Sequence, residues 1–226
     1  MNEELFAAIN AGDLTRLRTI LDADPRAAGS RNGNGVSAVL AAAYRNDPKA
    51  VAALRSTGLA LDLFEAAAVG DVERVRDLLS TGATRATDYN TDGFHALGLA
   101  AFFRHFEVLK VLLDSGADVQ APSQNQMRVT ALHSAVADRG DREIALALIA
   151  AGADPNAKQR HGWTPLHGAA GSGDRAVIGA LLTAGADPTL ANDDGKRAAD
   201  IAREAGHADI ADLLDETEQM DKPDQL

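Results

Sequence analysis

The chain has 226 residues and carries 33 acidic against 22 basic side chains, a formal net charge of -11, which repels a phosphate backbone at long range and argues against a general nucleic-acid binder. It has no cysteine, so disulfides and thiolate metal sites are excluded, and a reducing, cytoplasmic setting is expected. Aromatic residues make up only 4%, while alanine and glycine abound, which suits closely packed helices better than a sheet rich in Val, Tyr and Phe.

From the start, Met1 to Phe6 is acidic and offers neither a basic n-region nor an apolar h-region, so no export signal is expected. No stretch approaches the roughly 18 uninterrupted apolar residues of a spanning helix, so no membrane span is expected either. Leu5-Phe6-Ala7-Ala8-Ile9-Asn10-Ala11-Gly12-Asp13 is nearly copied at Leu63-Phe64-Glu65-Ala66-Ala67-Ala68-Val69-Gly70-Asp71, and an apolar helix pattern follows each. Further on, a Gly-Ala pair closes an apolar run at Gly82, Gly116, Gly152 and Gly185, at separations of 34, 36 and 33 residues. A second signature follows three of them: Thr130-Ala131-Leu132-His133, Thr164-Pro165-Leu166-His167 and a degenerate Arg197-Ala198-Ala199-Asp200. Fixed order at a fixed period marks a chain of stacked units.

In the unit from Gly162 to Pro188, Thr164 can cap a helix through its hydroxyl, Pro165 occupies the first turn, and Gly173 permits the turn into a second helix. Val177, Ile178, Leu181 and Leu182 then recur at helical spacing. This two-part motif resembles the ankyrin repeat. The resemblance implies an all-α solenoid of about seven helix-turn-helix units with short β-hairpin fingers. The helix pairs are expected near residues 2–24, 36–57, 61–81, 95–115, 130–151, 164–184 and 197–215, with residues 1–215 as the repeat domain and 216–226 as a flexible acidic tail. The overall order also resembles stand-alone bacterial ankyrin-repeat proteins.

Three departures stand out. From Gly82 to Ala100, Gly116 to Ala135 and Gly152 to Ala169 the connection takes 17 to 19 residues, but from Gly58 to Ala66 it takes only 8. A finger is therefore expected to be missing between units two and three, leaving a gap in the row, with a continuous binding face from unit three onward. Where other units place glycine between their helices, unit two has Asn46 and unit four has Arg104; a left-handed arginine costs about 1 kcal/mol, which favours a rearranged helix end there. Unit five carries one extra residue before Asp141, expected to lengthen its inner helix toward the groove.

No nucleophile elbow, zinc-protease helix, phosphate loop or calcium loop occurs in the sequence. Gly168 to Asp174 is glycine-rich, but no lysine follows to meet a phosphate. His133 and His167 occupy the structural histidine position that the resemblance implies, and His105 and His207 the position after the inter-helix break. His95 and His161 lie near fingers without other ligands at metal spacing. No catalytic residue, metal or cofactor is expected.

Binding is the remaining role. The resemblance implies that partners meet the finger tips and the exposed side of the inner helices. The candidates there are Tyr89, Phe94, Phe102, Phe103, Met127, Arg128, Asp138, Arg139, Arg160, His161 and Trp163, of which the aromatics and arginines are the types that most often anchor interfaces. Trp163 and Phe94 could equally pack against neighbouring units; of the adjacent Phe102 and Phe103, one ring must face outward. Arg128, Lys158, Arg160, His161, Lys196 and Arg197 fall on later fingers, which fits either an acidic protein partner or ordinary solvated loop charge diluted by Asp193 and Asp194. A protein-binding scaffold, monomeric rather than homodimeric, is the expected function. The alternative is a small-molecule sensor or enzyme with a groove site near His95, His105 and Asp138.

Overall fold

The computed structural model describes residues 2–82, 84–137 and 140–220. Among them are fourteen α-helices, which follow one another as seven pairs: α1 Asn2–Ala11 with α2 Leu14–Ala23, α3 Ala38–Tyr44 with α4 Pro48–Arg55, α5 Leu63–Val69 with α6 Val72–Ser80, α7 Ala96–Phe102 with α8 Phe106–Asp114, α9 Ala131–Val136 with α10 Arg142–Ala150, α11 Pro165–Ser172 with α12 Arg175–Thr183, and α13 Ala198–Glu204 with α14 Ala208–Met220. The first helix of each pair packs on the first helix of the next along the whole chain. One apolar core, from Leu5 to Leu214, runs through the stack.

Local chemistry explains the pairs. The outer helices α2, α4, α6, α10 and α12 each start on an aspartate, Asp13, Asp47, Asp71, Asp141 and Asp174, whose carboxylate accepts from free amides of the first turn. Such a cap contributes about 1 kcal/mol. The inner helices are short and alanine-rich; Ala66, Ala67 and Ala68 of α5 are all buried, because a methyl side chain lets neighbouring backbones approach closely. Helices this short have no stability alone, so each depends on the units beside it.

The turns between pairs bear out the missing finger and refine the rest. Five fingers, over residues 30–37, 84–95, 121–130, 157–164 and 190–197, connect successive pairs, and only the link at 56–62 lacks one. They are not laddered hairpins: three are closed by a single antiparallel bridge each, Arg31 with Ser37, Tyr89 with His95 and Ala191 with Arg197. Inside these three, Asn32, Asn90 and Asn192 turn a carboxamide oxygen onto two amides of their own turn, a local bond that takes the place of strand pairing.

The absent finger leaves no gap in the row. The first finger meets the second directly, Thr91 Oγ1 donating to the Gly35 carbonyl at 3.2 Å, and Arg31 reaches Asp62 of the short link at 2.9 Å. Beneath them a second small core forms from Leu40, Ala68 and Leu99, with Val36, Phe64, Phe94 and Phe103 packed against it. On the outer side α4 and α6 barely meet, as do α12 and α14, and Arg55 spans to Asp71 at 2.5 Å.

Three sequence expectations are corrected. Arg104 takes the left-handed conformation itself, φ 62°, as does Asn46 at 53°; the helix end is not rearranged, and the same left-handed break recurs at Gly12, Gly70, Gly173 and Gly206. Gly140 has no positive φ, and α9 stops at Val136 instead of lengthening. A Cβ on Gly140 would lie 2.0 Å from the Ala135 carbonyl oxygen, so glycine is needed there for close approach. The acidic tail does not begin at Glu216: α14 continues to Met220, with Thr217 bonded to the Leu213 carbonyl and Arg197 paired to Glu218. Ion pairs from the inner helix α13 and its cap hold those polar residues in place. Residues 221–226 of the expected tail lie outside the described residues.

The break glycines separate conformational strain from packing. A Cβ on Gly173, φ 69°, would sit 2.6 Å from the His207 ring, whereas one on Gly206, φ 86°, would meet nothing within 4 Å. Gly173→Ala should therefore cost about 3 kcal/mol and Gly206→Ala about 1 kcal/mol, read as shifts in urea midpoint; equal losses would show that the histidine contact carries no weight.

Candidate functional site

The five finger tips are tied to one another. Besides the Thr91 to Gly35 bond, Gln124 N donates to Gly93 O at 2.7 Å, Arg160 N to Met127 O at 2.9 Å and Asp193 N to His161 O at 3.0 Å. Asn125 Nδ2 adds a bond to Asp92 O at 2.9 Å. The fingers thus form one plate beside the exposed ends of the inner helices.

Next to the plate, Tyr44 of α3 reaches past the whole third unit. Its ring lies 6.1 Å from Phe102 and 5.5 Å from Phe103, which meet edge to face at 5.0 Å. Tyr44 is 40% and Phe102 54% exposed, and Phe103 is half-buried. Partial burial of the side chain pushes the Tyr44 pKa up to about 12, with the Asp92 carboxylate adding to the effect. Asp92 is itself raised by burial, an effect opposed by Arg31. A cleft of about 380 Å³ opens here, lined by Ala43, Asn46, Arg104, Ser134 and the three rings among others. The aromatic cluster thus joins unit two to unit four across the short link.

The other predicted residues divide by position. Met127 is 47% exposed at the third finger, and Arg128, Arg160 and His161 are exposed at the third and fourth. Tyr89 is half-buried, donates its hydroxyl to Pro122 O at 3.2 Å and stands edge-on to His95. Phe94 belongs to the second core, and Trp163 is half-buried against the His167 ring at 5.6 Å. Asp138 and Arg139 lie outside the described residues. What sequence reasoning missed is Tyr44 as a partner of Phe102, and the greater length of the third finger. Its closing bond runs from Ser123 to Val129, across six residues, where Asn32–Val36, Asn90–Phe94, Gln159–Trp163 and Asn192–Lys196 cross four. The signal was present in the longer interval from Gly116 to Ala135.

The histidines serve the stack. His133 and His167 donate from Nε2 to Trp163 O at 3.1 Å and Lys196 O at 3.0 Å in the next unit, and their Nδ1 faces the Thr130 and Thr164 caps. His95 does the same three positions earlier: Nδ1 accepts from Gly98 N and Nε2 donates to Ala121 O at 2.8 Å. Gly98, lacking a Cβ, leaves room for that ring. His105 donates to Ala68 O of the preceding unit. Burial lowers the pKa of all four, that of His133 to about 4. His95 is buried, while His105 is half-buried and lines a cleft with Ala43, Asn46 and Phe103; among the described residues no three His, Asp or Glu side chains are grouped to hold a metal.

A stack of helix pairs backed by one finger plate is a repeat solenoid. A family model described as ankyrin repeats (3 copies) matches residues 63–159 and 132–224, more than half of the sequence, and the chain belongs to the ankyrin-repeat family. It is also similar to the transient receptor potential cation channel subfamily A member 1 homolog of Caenorhabditis elegans, 36% identical over 157 residues, which are 70% of this chain and 13% of that protein. The chain thus spans about an eighth of that relative's length. Among the described residues no helix is long and apolar enough to cross a membrane.

Neutral His133 makes the stack sensitive to acid. Its folded pKa is depressed from 6.5 to about 4, so the unfolded chain binds the extra proton between those values. The stabilisation is complete above 6.5 and is lost as pH falls toward 4, about 3 kcal/mol in all from this residue. Urea unfolding between neutral pH and about pH 4 should show His133→Gln with a shallower loss per pH unit than wild type; identical slopes would assign the acid sensitivity elsewhere.

Proposed function

We propose that this protein is a scaffold that holds a protein partner on its concave face and finger tips, from Tyr44 of the second pair to the tip of the fourth finger. One observation carries the reading. Of the four large apolar side chains exposed among the described residues, Tyr44, Phe102, Met127 and Leu146, three stand at inner-helix ends or finger tips, and only Leu146 lies on an outer helix. Exposed aromatic and methionine side chains on a rigid support are the typical anchors of an interface. In ankyrin repeats generally the same modules mediate protein contacts, which supports the reading without naming the partner.

On the same footing we read the chain as non-enzymatic, monomeric and cytoplasmic, of the bacterial stand-alone type. The cysteine-free composition supports the reducing compartment, and the repeat order supports the type. The net charge of -11 supports a protein partner over a nucleic acid.

Tyr44→Ser combined with Phe102→Ser tests the anchors, because both side chains are exposed and their loss leaves the main core intact. Tagged wild-type chain should recover a discrete partner from its native cell extract, and the double variant, at unchanged helicity, less than about a tenth as much. Equal recovery of the same partner by both would remove the groove from the interface.

A further inference from the structure

The third and fourth finger tips share a feature that the repeat does not require. In fingers one, two, four and five the second residue before the helix cap is Gly35, Gly93, Gly162 and Gly195, each at positive φ; in the third finger it is Arg128, at φ 52°. A left-handed arginine costs about 1 kcal/mol where glycine would cost nothing. Its side chain is exposed and forms no ion pair among the described residues, and Arg160 on the adjoining tip is in the same condition. Elsewhere cations are largely held by carboxylates: Arg55 by Asp71, Lys110 by Glu107, Arg142 by Asp174. Lys196 and Arg197, the expected end of the basic row, are occupied by Glu204 and by Asp215 and Glu218. Of the later basic row, Arg128, Lys158 and Arg160 are the cations left exposed with no ion pair among the described residues, and Arg128 and Arg160 flank the exposed thioether of Met127 and are joined by the Arg160 N to Met127 O bond.

We infer that these two tips form a carboxylate-reading patch that takes an acidic, extended segment of a protein partner, with Arg128 and Arg160 on its carboxylates and Met127 against an apolar neighbour. The inference rests on the scaffold reading and adds the chemistry of what is held. Guanidinium forks suit carboxylates in fixed geometry, and methionine adapts to varied apolar shapes. Asp193 and Asp194 are exposed on the fifth finger, so the segment's charge is drawn toward the third finger and away from the fifth. A polyanion is disfavoured, because the total of -11 repels a continuous phosphate backbone at a distance while two arginines attract spaced carboxylates only at contact.

The probe is a fluorescein-labelled peptide of glutamate, leucine and proline, compared with the same peptide carrying glutamine for glutamate and with labelled oligo(dT). Anisotropy with the full chain should show binding of the glutamate peptide that weakens with salt, and at least about tenfold weaker binding of the glutamine peptide and of oligo(dT). The double variant Arg128→Gly, Arg160→Gln should lose the same factor while its thermal midpoint stays level or rises, since glycine relieves the left-handed strain. Equal binding of the glutamine peptide, tighter binding of oligo(dT), or a marked fall in thermal midpoint for Arg128→Gly alone would overturn the inference. A partner recovered through Tyr44 and Phe102 but indifferent to the tip variant would overturn it too, and would leave the scaffold reading standing.

Discussion

The structure depends on one constraint: no unit can satisfy its own polar groups or bury its own apolar face. An inner helix has as few as six residues in α9, below the length at which a helix persists in water, and it exists because neighbours flank it. The cross-unit bonds show this. His133 and His167 each cap their own helix start through a threonine and spend the other ring nitrogen on a carbonyl of the following unit. That carbonyl lies at the base of the next finger, where it also accepts the finger's own closing bond, from Gln159 N at Trp163 and from Asn192 N at Lys196. One neutral imidazole therefore fixes both a helix end and the spacing between units, and protonation would break the arrangement, because Nδ1 must remain an acceptor. The same requirement explains why His95 can stand three positions early with Gly98 opposite: what matters is where the ring reaches, not where it is attached.

Solidarity between units also explains how the stack tolerates the loss of a finger. Without it, units two and three lose a row of turn contacts. The deficit is offset on the inner side, where the first and second fingers close over the short link and Phe64, Phe94 and Phe103 fill the space around Ala68. Tyr44 and Phe102 continue that cluster outward into solvent. The exposed aromatic edge of the candidate groove is thus the rim of a structural repair, which gives it a rigid backing that isolated surface aromatics lack.

Much of this was legible in the chain of residues. Glycine at the breaks, aspartate after them and threonine-proline at Thr164 each answer a local backbone need, and the deletion near residue 60 followed from counting. What counting could not supply was contact across units. The meeting of Thr91 with Gly35, 56 residues away, requires knowing that the stack folds over the short link. The helical continuation to Met220 depends on Arg197 and Arg203 meeting Asp215 and Glu218, which local composition, polar throughout, does not announce. Arg104 was misread for a different reason: the penalty for a left-handed arginine is small against the packing of His105 between units, so the backbone rule held and the residue preference yielded.

That balance offers a way to separate function from architecture in a repeat protein. Family membership accounts for residues that obey the repeat, and the relative it resembles shares the repeats over only a small part of its own length, so neither identifies what is bound. Residues that break the repeat fall into two groups. Some are compensated inside the fold, as Gly140 is by its close approach to the Ala135 carbonyl and as the missing finger is by the second core. Others carry a cost with no return among the described residues: Arg128 is strained, exposed and unpaired where four other fingers use glycine, on the one finger that is two residues longer than the rest. A fold held by mutual support between neighbours gains nothing from that arginine. On the carboxylate-reading proposal the gain comes from a partner, and the charge and position of Arg128 indicate that partner's chemistry more directly than the better-conforming residues around it.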